Sequence, residues 1–373
     1  MADKFGFDEV KTYSLESLCE IFTDGDWIES KDQSEEGIRL IQTGNIGEGY
    51  FKAKEGKEKY ISEQTFETLK CTEVFEGDIL VSRLPEPVGR ACIIPALDYR
   101  VITAVDCTIC RTRKNVLNKK YLMYYMQSES YYNQLGNSVT GTTRKRISRK
   151  NLGQVLIKVP NKVKQEEVIK ILDNVTGIIR HKKKELEELD ILIKARFVEM
   201  LDGHGYPILK WNDVFTTTTG KLDSNAMVED GEYPFFTCAK EVFRIDKYAF
   251  DQEALLLAGN NAAGKYDVKY YKGKFNAYQR TYVLGLKGDW SYHLFRYQLE
   301  DKLIYLQQQS LGGLTKYLTL KILSDLEFVI PPRDKQNEFD AFVTQVDKLK
   351  VAVQESLNEA QTLFDSLMQE YFG

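Results

Sequence analysis

Apolar positions recur at alternating spacings of four and three residues along Val168, Leu172, Val175, Ile179, Lys182, Leu186, Leu189, Ile193, Arg196 and Met200, and eight of the ten are apolar. This is the a/d seam of a heptad repeat, and it predicts a long amphipathic helix. A second seam runs 171 residues further on, through Phe339, Val343, Val346, Lys350, Val353, Leu357, Ala360, Phe364, Leu367 and Tyr371, apolar at nine of ten. Each seam covers 33 residues, or roughly 50 Å of helix at about 1.5 Å per residue. Two such helices in one chain predict a coiled coil inside the molecule. The alternative is that each packs back on its own domain.

Seams that repeat in register indicate an internal duplication. It extends upstream. Leu122, Tyr125, Ser138, Gly141 and Thr143 match Leu294, Tyr297, Ser310, Gly313 and Thr315 at an offset of 172. Leu152, Pro160 and Gln165 match Leu323, Pro331 and Gln336 at 171, and Ile21-Phe22 resembles Val214-Phe215 at 193. Each half is thus a variable front, a similar rear and a long helix. One scaffold with two dissimilar fronts presents two different surfaces.

In the first front, Gly77–Arg83, Gly89–Ala96 and Arg100–Arg111 read as strands rich in Val and Ile between turn residues. In the second, Ala254–Gly259, Asp267–Tyr271 and Tyr278–Leu286 do so, with Lys272-Gly273-Lys274 as a turn. Lys119–Leu135 and Trp290–Gln309 read as matching amphipathic helices. Pro160 and Pro331-Pro332 mark the start of each long helix, and Gly203–Pro207 links the halves. The fold class is therefore α+β. The domains expected are 1–160, a helix over 161–202, a second domain over 203–332 and a helix over 333–373.

The chain has 373 residues, 43% hydrophobic and 28% charged, which excludes low-complexity disorder. No apolar run approaches the ~20 residues of a membrane span. The first ten residues are polar, without a secretory apolar core. Six scattered cysteines argue against a disulfide scaffold and fit a reducing cytoplasm. Cys107 and Cys110 form a lone CxxC. A structural zinc needs four ligands, so Cys107 is expected instead as an inward side chain of a strand. No metal and no cofactor is expected on this chain.

The net charge of −4 hides an asymmetry: residues 333–373 carry four cations against eight acids. Ahead of them stand basic clusters. Arg144, Lys145, Arg146, Arg149 and Lys150 lie within seven residues, and Arg111, Arg113 and Lys114 follow a strand. Lys265, Lys269, Lys272, Lys274 and Arg280 interleave with tyrosines. Cations mixed with Asn, Gln and Tyr suit a polyanion whose base edges are also read. The alternative is ordinary solvated surface charge.

The sequence shows no complete catalytic motif. Gly259-Asn260-Asn261-Ala262-Ala263-Gly264-Lys265 has P-loop spacing, but Tyr266 stands where a Mg²⁺-binding Ser or Thr belongs, and a strand rather than a helix follows. The segment reads better as a DNA-contacting loop. Glu55-Gly56-Lys57 is half of a nuclease motif without its partner aspartate. No methyl-donor loop and no Ser/His/Asp or Cys/His set emerges.

The chain resembles the specificity subunit of type I restriction–modification systems over essentially its full length. The resemblance rests on Leu15-Glu16-Ser17-Leu18-Cys19-Glu20-Ile21, on Ile38-Arg39-Leu40-Ile41-Gln42-Thr43-Gly44-Asn45-Ile46 and on Glu76-Gly77-Asp78-Ile79-Leu80-Val81-Ser82-Arg83. Val88-Gly89-Arg90-Ala91-Cys92-Ile93 and, in both halves, the Gly-x-Thr-basic and Pro…Gln segments extend it. Val159-Pro160-Asn161 lacks the family's second proline, which Pro331-Pro332 has.

The resemblance implies two tandem target recognition domains, each followed by a long helix, with the helices in an antiparallel coiled coil. It implies a non-catalytic chain that binds double-stranded DNA, each domain reading half of a bipartite site in the major groove. Two methyltransferase subunits would dock on the helices, with motor–nuclease subunits in the full complex. S-adenosylmethionine, ATP and Mg²⁺ would act on those partners. By position, Arg83 and Arg90 become candidate DNA contacts in the first domain, with Arg144, Lys145 and Arg146 on phosphates; Arg113, from the basic cluster after the strand, is a further candidate. Asn260, Asn261, Lys265, Gln279 and Arg280 are the candidates of the second. Two other readings stand beside this one: a subunit of a related bifunctional restriction system with a fused methyltransferase–nuclease partner, and a coiled-coil scaffold without a DNA role.

Overall fold

A computed structural model describes residues 10–136, 138, 139, 141, 145–262 and 264–373. The chain forms two compact units. One comprises residues 1–181 with 357–373, and the other residues 182–356. The unit boundaries therefore fall inside the two long helices.

Those helices span Lys162–Leu201 and Arg333–Phe372, 40 residues each. In the first unit, Val168, Ile169 and Leu172 from the start of the first helix share a core with Met368 and Phe372 from the end of the second. In the second unit, Ile193, Phe197 and Met200 from the end of the first helix pack with Phe339, Val343 and Val346 from the start of the second. The pairing is antiparallel in both. The helices also pack on the domains: Phe372 meets Tyr121 and Tyr125 edge-on, and Phe339 meets Tyr297. Both packing alternatives thus hold at once. Lys350, the polar member of the second seam, reaches Asp190 at 2.5 Å.

Buried glutamines fix each helix start. Gln165 Oε1 accepts from the Asn118 N–H at 2.8 Å and its Nε2 donates to the Pro160 carbonyl at 2.9 Å. Gln336 repeats this with Ser291 N–H at 2.9 Å and Pro331 at 2.8 Å. Asn118 and Ser291 are in turn the N-caps of the preceding helices. The matched glutamines are therefore the clamps that set each helix against its domain.

The first unit holds an antiparallel four-stranded sheet in the order Cys19–Asp24, Cys107–Thr112, Ile79–Ser82, Ala91–Ile93. A second four-stranded sheet places Ile38–Ile41 parallel to Val101–Thr103. The second unit is built on one six-stranded sheet, in the order Phe215–Thr219, Thr281–Leu286, Phe250–Ala258, Val268–Ala277, Tyr233–Phe236, Phe243–Ile245.

Three local expectations are corrected. Arg100–Arg111 is not one strand: the turn after Thr103 sends Val101–Thr103 and Cys107–Thr112 into different sheets. The predicted turn Lys272-Gly273-Lys274 lies inside the strand Val268–Ala277, because Phe250–Ala258 extends far enough to pair with it. Gly273 takes φ +128°, a bend only glycine makes without strain. Each expected domain helix is two shorter ones, Lys119–Tyr125 with Glu129–Gly136, and Tyr292–Asp301 with Leu303–Gln309.

The strand Cys107–Thr112 is buried on both faces. Cys107 enters one core with Ile109, and Cys110 enters another. Burial pushes the Cys92 and Cys107 thiols up to about 12, so they are packing groups rather than nucleophiles or ligands. Among the described residues no group of three or more His, Cys, Asp and Glu could hold a metal ion. None of their helices is long and apolar enough to cross a membrane.

Candidate nucleic-acid interface

In the second unit, backbone hydrogen bonds gather four connections at one end of the sheet. The Gly259 N–H donates to the Arg280 carbonyl at 2.8 Å, and Gln279 N–H to Leu222 at 2.9 Å. Tyr278 N–H donates to Phe236 at 2.9 Å, and Leu318 N–H to Gly259 at 2.8 Å. Asn260–Asn261 forms a two-stranded ribbon with Lys316–Tyr317. This brings all five candidates of this half together. Lys265, Gln279 and Arg280 are exposed, and Asn260 and Asn261 half-buried. Lys221, Lys240 and Lys316 join them from neighbouring loops, and Lys269 is held by the Ala239 carbonyl and Asp267. Against these cations stand Asp223, Glu241 and Asp267. An array of exposed cations around amide side chains can hold phosphates and hydrogen-bond base edges.

The first unit repeats the scaffold with different contents. The Arg83 N–H donates to the Asp106 carbonyl at 2.9 Å, and Ile147 N–H to Arg83 at 3.2 Å. These are the bonds of Gly259 with Arg280 and of Leu318 with Gly259. Asp26 bridges Ala104 in parallel, as Leu222 bridges Tyr278.

Two candidates are corrected here. Arg83 is 3% exposed and Arg90 7%. Arg83 donates to the carbonyls of Val105 at 2.6 Å and Ile147 at 3.4 Å and pairs with Asp24 at 3.2 Å. Arg90 donates to Ile46 at 2.8 Å, Leu84 at 2.8 Å, Pro87 at 3.1 Å and Thr43 at 2.8 Å. Burial lowers both pKa values, yet the internal acceptors keep the groups in place. The Arg90 guanidinium holds the loop between them through Leu84 and Pro87, and that of Arg83 ties the end of its strand to Val105, Ile147 and Asp24; to reach a base they would have to abandon those bonds.

Arg113 is a third correction. It follows the far end of Cys107–Thr112 and donates to Ser17 O at 3.3 Å. A six-residue strand separates it from Asp106, roughly 20 Å at about 3.4 Å per residue. Lys145 and Arg146 do lie at the gathered end, exposed, with Arg146 on Asp106 at 3.1 Å. Arg144 lies outside the described residues.

Arg149, of the same basic cluster, faces Asp24 at 3.7 Å at this end. Sequence reasoning missed one group here. Trp27, next to the Asp26–Ala104 bridge, is 69% exposed, a costly placement for an indole and a suitable stacking surface. An isolated tryptophan in a polar stretch, Gly25-Asp26-Trp27, was its one visible signal.

One scaffold used twice, with unlike polar and cationic loops at the same end of each sheet, defines a two-module recognition protein. The family described as "Type I restriction modification DNA specificity domain" matches residues 8–190 and 205–360. The chain belongs to that family, whose members supply specificity rather than catalysis. It is 36% identical over 150 residues to the type I restriction enzyme EcoDI specificity subunit of Escherichia coli, a stretch covering 38% of this chain and 32% of that protein. The alignment thus spans about a third of the relative's length. The fold matches a type I restriction–modification S subunit from M. genitalium with a TM-score of 0.61 at 14% identity, over 100% of this chain and 98% of that one. A second solved chain, from work described as the structural basis of complex assembly and conformational transition of the type I R-M system, matches with a TM-score of 0.58 at 15% identity, over 98% of each chain.

Proposed function

We propose that the chain is the DNA-reading subunit of a type I restriction–modification complex in the cytoplasm. Each unit reads one half of a bipartite double-stranded site with the loops gathered at its sheet end. The observation that carries this reading is the repeated backbone frame holding two different loop sets. Identical frames with identical loops would read a symmetric site; unlike loops read an asymmetric one. The long helices set the spacer and dock two methyltransferase subunits. Exposed apolar side chains on the first of them, Ile171, Ile178, Ile191, Leu192 and Val198, supply surface for that docking. S-adenosylmethionine, ATP and Mg²⁺ act on the methyltransferase and motor–nuclease partners, and this chain contributes no catalytic group.

The test is methylome sequencing of a host with and without the chain, its methyltransferase partner present in both. A bipartite methylated motif that appears only with the chain is the expected result. An unchanged methylome would overturn the reading. Turnover by the purified chain with DNA, ATP, Mg²⁺ and S-adenosylmethionine, free of partners, would refute its non-catalytic role.

A further inference from the structure

Leu314 is 96% exposed. Single exposed leucines are ordinary on protein surfaces; this one is set apart by where it stands. It occupies the tip of a closed hairpin, in which the Leu311 N–H donates to Tyr317 O at 3.1 Å and the Tyr317 N–H to Leu311 O at 2.9 Å. Gly312 turns the chain at φ +103°, and a Cβ there would lie 2.2 Å from the Thr315 carbonyl. The tip is therefore a tight turn. Lys316–Tyr317, leaving the hairpin, pairs directly with Asn260–Asn261. An apolar point thus projects beside amides and the cations Lys316 and Lys265, with Leu311 and Tyr317 exposed at its base.

We propose that Leu314 is a wedge that enters between two base pairs of the half-site read by the second unit and unstacks that step. Lys265 and Lys316 hold the flanking phosphates. Apolar side chains inserted at a base step and flanked by cations are an established way to kink a duplex. The wedge rests on the DNA-reading function proposed above. Ser138 and Gly141 match Ser310 and Gly313 in sequence, which sets Thr142 against Leu314, so this wedge is assigned to the second unit's half-site.

The experiment uses the full chain in complex with its methyltransferase partner. The probes are duplexes of the mapped methylation motif, each with one 2-aminopurine at a successive position. The expected result is a fluorescence rise at one step of one half-site. Leu314→Ser abolishes it and weakens cognate binding about tenfold or more, as loss of a buried leucine implies. Leu314→Met retains both. The side chain is exposed, so the melting temperature of Leu314→Ser stays at the wild-type value and misfolding does not enter. A rise that persists in Leu314→Ser comes from the partner and overturns the wedge. Weaker binding by Leu314→Ser without any rise in the wild type also overturns it, in favour of a surface contact. A wild-type complex that binds no duplex refutes the DNA-reading function itself. Failure of the wedge alone leaves that function standing.

Discussion

Replacing Arg90 by methionine separates a holding role from a DNA-contacting one. The substitution keeps an apolar stem and removes the guanidinium. Four carbonyls, of Thr43, Ile46, Leu84 and Pro87, lose its hydrogen bonds at once, while Thr43 keeps the Ile46 N–H, Leu84 the Ser82 hydroxyl and Pro87 the Arg90 N–H. Hydrogen bonds from a charged group are worth about 1.5–3 kcal/mol each. These four share one planar group and do not simply add. Truncation leaves neutral carbonyls and no unpaired charge, so the loss is that of about two such bonds, roughly 3–4 kcal/mol. The loss is local, because Arg90 stitches the loop Leu84–Pro87 to the turn Thr43–Ile46. Hydrogen exchange resolved by peptide is the assay. Amides such as Gly49, bonded to Ala91 O at 2.8 Å, and Gly89, bonded to Ser82 O at 2.8 Å, report on the stitched region. Their protection should fall by about two to three orders of magnitude, down to the limit set by local opening. Arg280→Met is the control: exposed, it should change stability by less than about 0.5 kcal/mol and weaken DNA binding. If Arg90→Met left exchange unchanged and abolished DNA binding, the holding role would be wrong.

Further outcomes follow from the same geometry. Changing Arg144, Lys145 and Arg146 to glutamine should weaken binding to all sequences and flatten the slope of log K against log salt by about 0.9 for each phosphate no longer neutralised; an unchanged slope would remove the phosphate assignment. Gln279→Ala should relax one position of one half-site, costing about 1–3 kcal/mol of discrimination, measured as methylation of singly substituted sites. Uniform weakening would contradict base reading. Gln336→Leu leaves the Ser291 N–H and the Pro331 carbonyl unpaired and should destabilise the second unit by about 2–4 kcal/mol. Urea unfolding read through Trp211 and Trp290, both in that unit, checks it. One heptad inserted in each long helix at matching depth adds roughly 10 Å at about 1.5 Å per residue and should lengthen the spacer of the methylated motif without altering either half-site. An active variant with the original spacer would refute the ruler.

The long helices were legible because a/d spacing over 33 residues is an average over many positions. The glutamine clamps were legible as a matched pair, though their chemistry was not. Arg83 and Arg90 were misread for a physical reason. Whether an arginine faces solvent depends on acceptors far along the chain: Arg90 ends on Thr43 and Ile46, and Arg83 on Ile147. Local composition carries no trace of such partners. Arg113 was grouped with the basic cluster by kind of residue, whereas strand direction carries it to the opposite end. In the second half the candidates lie together, because both loops there border the strand ends that their apolar runs had marked. The turn at Lys272-Gly273-Lys274 failed because pairing with a nine-residue neighbour outweighs glycine's local preference.

The two loop sets diverge without disturbing the frame because the frame is made of main-chain bonds. Arg83 to Asp106 and Gly259 to Arg280 are the same N–H to carbonyl bond, indifferent to the side chains at either position. The side chains then solve the same problem in opposite ways. In the first unit, the loop after Ile79–Ser82 is held from inside by Arg90, with Arg83 buried beneath on Val105, Ile147 and Asp24, and the outer cations Arg146 and Arg149 face Asp106 and Asp24. In the second, glycine replaces the internal arginine. The loop after Phe250–Ala258 is instead held from outside, by the ribbon of Asn260–Asn261 with Lys316–Tyr317. Holding from outside places the amides and the hairpin tip with Leu314 on one continuous strip. Holding from inside leaves the first unit's outer surface to Trp27 and the chain around Lys145. On the function proposed above, the asymmetry of a bipartite site would originate in where each loop takes its support, before any base contact is made.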